Sequence, residues 1–74
     1  MSKILAEGFA ADSDRLPVRL YESYSQEDGV IYIVDFYNGN QDDKIRYNWI
    51  VAYKGISLEI AERWYKSFTE NLPL

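Results

Sequence analysis

Neither cysteine nor histidine occurs among these 74 residues. Their absence removes disulfide staples, thiolate nucleophiles, the usual zinc ligand sets and the commonest general base. Glycine is scarce as well: the 4 glycines stand isolated at breaks in the apolar pattern, so no glycine-rich loop cradles a phosphate. No serine sits in a Ser-x-x-Lys or Gly-x-Ser-x-Gly context that would activate it. The acidic turn at Asp42-Asp43 lacks the alternating ligand spacing of a calcium loop. No apolar run approaches the roughly 20 residues of a bilayer helix, and the N-terminus carries no signal-peptide core. The expectation is a non-enzyme with no cofactor and no metal, acting in the cytoplasm without a membrane partner.

What the chain does have is aromatic side chains, with 2 tryptophans, 7 tyrosines and 3 phenylalanines. A domain this small buries only about 60% of the surface that its unfolded chain exposes. Large rings are an economical way to build its core, since each buries about 150–250 Å². Tyrosine also needs a partner for its hydroxyl, which suits it to interfaces. The net charge is −4, which disfavours generic phosphate binding. The charge is unevenly spread. Residues 17–43 hold Arg19 alone against Glu22, Glu27, Asp28, Asp35, Asp42 and Asp43, whereas the last thirty or so residues are mildly basic.

Three runs alternate with the period of strands: Pro17 to Tyr24, Val30 to Tyr37 and Lys44 to Tyr53. Turn residues separate them, at 25–29 and again at 38–43. Short connections predict antiparallel hairpins and hence a meander. From Ser57 onward, Leu58, Ala61, Trp64, Tyr65, Phe68 and Leu72 recur at helical spacing, with Ser57 as N-cap and Asn71 and Pro73 as stops. The predicted architecture is one α+β domain over 1–74. It consists of a short N-terminal element over 1–16, a three-stranded antiparallel meander over 17–53 and a C-terminal helix over 57–72 packed on one sheet face.

The shortest loops set Leu20 opposite Val34, Arg19 opposite Asp35, Asp35 opposite Arg46, Val34 opposite Tyr47 and Tyr32 opposite Trp49. One face then holds Val18, Leu20, Tyr32, Val34, Phe36 and Trp49 and meets the helix. The other carries the charge row Arg19–Asp35–Arg46 with Tyr21, Ile31, Ile33, Tyr37 and Ile50 around it. An apolar patch rimmed by charge marks a protein-binding or self-association site, unless Ile4, Leu5 and Phe9 of the N-terminal element fold over it. The candidate contact residues are therefore Tyr21, Ile31, Ile33, Asp35, Tyr37, Arg46 and Ile50. Glu27, Asp28, Asp42 and Asp43 form acidic loops suited to a basic partner.

The stretch Lys54-Gly55-Ile56-Ser57-Leu58 resembles the strand-to-helix junction of the single-strand-binding transcriptional coactivators of the positive-cofactor type. Trp64 follows that junction as a tryptophan does in the family. The similarity covers these five residues and, loosely, the C-terminal half. It departs in having few basic residues, a shifted tryptophan and different strand lengths. It implies an alternative reading, a sheet that stacks single-stranded nucleic acid. The primary expectation is a small non-catalytic protein-binding module, a stoichiometric inhibitor of the kind carried by viruses and mobile elements. Its partner is another protein or a second copy, as a homodimer.

Overall fold

The computed structural model describes residues 2–12, 15–37 and 49–74. Strands β1 (Lys3–Phe9), β2 (Pro17–Ser25), β3 (Gly29–Tyr37) and β4 (Trp49–Gly55) form one sheet in the order β1-β2-β3-β4, and helix α1 (Leu58–Thr69) follows. All three pairings are antiparallel. The α+β class and the C-terminal helix are as expected from the sequence. Among the described residues the sheet has four strands rather than three, because the N-terminal segment is itself an edge strand.

The β2–β3 hairpin follows the shortest-loop register, with Leu20 opposite Val34, Arg19 opposite Asp35 and Ser25 opposite Gly29. Its turn is stabilised locally. The Ser25 hydroxyl accepts from the Glu27 and Asp28 amides at 3.3 and 3.4 Å, and Gly29 takes the positive φ of 77° that closes such a loop.

The β3–β4 register differs from the expected one. Tyr37 faces Trp49, Asp35 faces Val51, Val34 faces Tyr53 and Tyr32 faces Gly55. Asp35 thus does not oppose Arg46, which with Tyr47, Asp42 and Asp43 lies outside the described residues. Tyr37 pairs with Trp49 rather than with Lys44, a slip of five positions. An odd slip sends every side chain to the other face. Trp49 and Val51 accordingly leave the helix side, and Ile50, opposite Phe36, joins it. A bulge between Val34 and Asp35 leaves Ala52 over as the extra residue, and beyond it Tyr53 returns to the helix side.

The helix lies across the face carrying Val18, Leu20 and Val34. Ala61 is fully buried in the core cluster between them. Trp64 stacks on Tyr53 with centroids 6.4 Å apart, and Phe68 meets Phe36 at 5.4 Å. The Ser57 hydroxyl accepts from the Ile60 amide at 3.2 Å, as an N-cap does, and Glu59 sits in the first turn. The helix stops at Thr69, three residues short of the predicted end. Asn71 turns left-handed with φ 55° and Leu72 is exposed. The β1–β2 connection is fastened to the helix end, where the Ala11 amide donates to the Phe68 carbonyl at 2.8 Å.

Candidate interaction surface

The sheet face away from the helix is organised around Arg19. Its Nε and Nη2 donate to the two carboxylate oxygens of Asp35 at 2.9 and 2.6 Å, a two-pronged geometry that holds the guanidinium plane. Asp35 is 2% exposed, and its side chain retains no unsatisfied buried oxygen. The Trp49 ring centroid lies 3.6 Å from the guanidinium carbon, and Tyr21 is at 5.3 Å on the same strand. Arg19 and Trp49 stand on strands β2 and β4, about 9.6 Å apart at two strand spacings. The indole therefore reaches across β3 to cover the ion pair. Tyr37 packs edge-on against Trp49, with centroids 5.5 Å apart at 75°.

The electrostatics follow from this packing. Hydrogen bonds to Asp35 lift the Arg19 guanidinium above its ordinary pKa, against the opposing effect of burial. Tyr21 is also raised, chiefly because burial disfavours its phenolate and secondarily because the Asp35 carboxylate repels it. The cluster is thus one cation held by one carboxylate and flanked by two rings, with Tyr37 packed behind Trp49. Beside it lies a groove of about 440 Å³, lined by Glu7 and Phe9 of β1, Pro17 and Arg19 of β2, and Trp49. Phe9 is 58% exposed, an unusual degree for a phenylalanine in a sheet.

The residues singled out in the sequence are distributed as follows. Tyr21, Asp35 and Tyr37 are brought together in the Arg19 cluster. Ile31 and Ile33, on the same face, are buried at 5% and 8% exposure. The face is therefore not the bare apolar patch expected of it. Ile50 lies on the helix side at 41% exposure, displaced by the odd slip of β4. Glu27 and Asp28 are exposed at the β2–β3 turn. Sequence reasoning missed Trp49, Glu7 and Phe9. The shortest-loop register places Trp49 in the core. The other two stand on a strand whose alternation is broken: Ile4 pairs with Tyr21 and Ala6 with Leu20, leaving Leu5 over.

Among the described residues, no helix is long and apolar enough to cross a membrane. No family model, curated protein or solved structure matches the chain.

Proposed function

We propose that the protein is a small non-catalytic binding module whose helix-free sheet face docks on another protein, or on a second copy, as a stoichiometric inhibitor. The observation that carries this reading is the Arg19 cluster. Tryptophan, tyrosine and arginine are the residue types that dominate interface hot spots, and here they are gathered in one place. The Asp35 fork and the Trp49 ring hold Arg19 before any partner arrives, so less side-chain entropy remains to be lost on binding. Phe9 and Val51, 58% and 53% exposed, extend the same face toward both edges with apolar surface for a partner to cover.

The face is a better candidate than the edges. Both edge strands carry a bulge, after Ile4 in β1 and opposite the Val34–Asp35 step in β4. Bulges twist an edge away from straight strand addition. Catalysis finds little support in the cluster, since both oxygens of its carboxylate are engaged by Arg19. An inhibitory role of viral or mobile-element type in the cytoplasm rests on small size, acidity and aromatic content. A second reading, single-stranded nucleic acid, draws on the aromatic rings of this face as a stacking platform. One side of Trp49 is already occupied by Arg19, however, and Glu7 lines the adjoining groove.

The test compares wild type with Phe9→Ser, an exposed change, and with Glu62→Gln on the helix side as control. Partner capture identified by mass spectrometry, together with light scattering for self-association, should be lost in Phe9→Ser and kept in Glu62→Gln. Equal behaviour of the two variants rejects the face as the docking site. A shift of single-stranded oligonucleotide at low salt that fades steeply with added salt establishes the second reading instead.

A further inference from the structure

On the helix-free face, the first three strands carry a row of charge that does not balance. Glu7 of β1 lies directly opposite Arg19 of β2, which lies directly opposite Asp35 of β3. Two carboxylates thus flank one guanidinium. Arg19 turns both its Nε and its Nη2 to Asp35. Among the described residues, no basic side chain closes an ion pair on Glu7, which is exposed. The charge left over in the row is therefore negative, and it sits on Glu7 at the accessible margin of the sheet.

Phe9 stands beside this carboxylate. It follows Glu7 by two residues along an unbroken stretch of ladder, shares its face and is 58% exposed. Both line the groove, together with Pro17, Arg19 and Trp49. A carboxylate next to an open aromatic ring meets the two needs of a guanidinium, an acceptor in its plane and a π-face against it. The molecule already uses that combination once. Asp35 grips Arg19 from the side, and the Trp49 ring centroid lies 3.6 Å from the guanidinium carbon. Glu7 and Phe9 offer the same two chemical types to a cation from outside. Arginine suits them better than lysine, because a guanidinium is more weakly hydrated and can pair and stack at once. Arg19 offers little opposition, since Asp35 neutralises it. A net charge of −4 draws basic partners toward the chain from a distance.

We propose that Glu7 and Phe9 receive an arginine side chain of a basic partner protein, whose guanidinium pairs with the carboxylate and packs on the phenyl ring. This rests on the helix-free face being the docking surface and names the partner's chemistry. The probe is a terminally blocked glycine peptide with one central arginine, titrated into the full chain at low salt and followed by backbone amide resonances. The largest shifts should fall on Glu7, Gly8 and Phe9. Citrulline in place of arginine, which keeps the shape without the charge, should abolish them, and lysine should bind more weakly. Glu7→Gln should weaken the arginine peptide about threefold, the scale of one exposed ion pair. Glu27→Gln, the same charge change at the β2–β3 turn, should leave it unaffected. Shifts centred on the turn, an equal loss in the two variants, or an equal response to lysine or citrulline overturns the proposal. So does a larger response of these amides to oligothymidine, or their dependence on protein concentration alone, which would make a second copy the occupant. If Phe9→Ser abolishes partner capture but Glu7→Gln does not, only the arginine has failed; if neither does, the face has failed as well.

Discussion

At the scale of single residues, the Arg19–Asp35 pair is asymmetric. The Arg19 side chain is 29% exposed and that of Asp35 is 2%. Loss of the carboxylate leaves a guanidinium that water can reach, whereas loss of the guanidinium leaves a buried anion with no counter-charge. Arg19→Met should therefore cost about 3 kcal/mol, and Asp35→Asn, which keeps shape and one acceptor, about 1 kcal/mol. Urea unfolding of the two variants measures the difference, and an equal or inverted order would contradict the burial argument. This pair was legible in the sequence, because a short turn with Gly29 at its end fixes the β2–β3 register. Trp49 was not. Its face depends on a β3–β4 register five positions away from the one that the shortest loop sets, and on a bulge that no residue type announces.

At the scale of elements, contact between β1 and α1 depends on a missing side chain. A Cβ at Gly8 would lie 2.8 Å from the Tyr65 hydroxyl and 3.4 Å from the Thr69 methyl. Gly8→Ala should destabilise the fold by about 1 kcal/mol, the lower end of overpacking costs, because the Tyr65 ring must shift. In a Tyr65→Phe background, where the clashing oxygen is gone, the same change should cost little. A double-mutant cycle reads the coupling directly, and additivity would show that the contact is not responsible. The helix itself was readable from Ser57, the 3.6-residue spacing and Asn71, and only its last turn was overestimated. β1 was less readable, because Leu5 interrupts the period of two and leaves Lys3, Ile4 and Leu5 all exposed.

At the scale of the whole molecule, one helix on one sheet face leaves tyrosines partly buried on both sides. Tyr21 on the open face and Tyr65 under the helix are both held above the ordinary phenol range, each mainly by burial. In both, the folded pKa exceeds the unfolded value of about 10. The unfolded chain ionises first as pH rises, so the stability these groups contribute is present below about pH 10 and is lost on climbing through their folded values. Urea midpoints between pH 8 and 11 should fall more steeply for wild type than for the Tyr21→Phe, Tyr65→Phe double variant. Parallel profiles would show that neither phenol contributes to alkaline lability.

The two bulges also determine where evolution can change the length of this chain. Leu5 and Ala52 are the residues left over when the ladders on either side are matched. Deleting either one would restore an unbroken ladder and keep every other side chain facing as it does now. Strands β2 and β3 pair with each other without a break from Val18–Phe36 to Ser25–Gly29, and have no such spare position. One codon lost there would turn half a strand inside out. Relatives of this protein should therefore differ in length at its margins and hardly at all along its central hairpin.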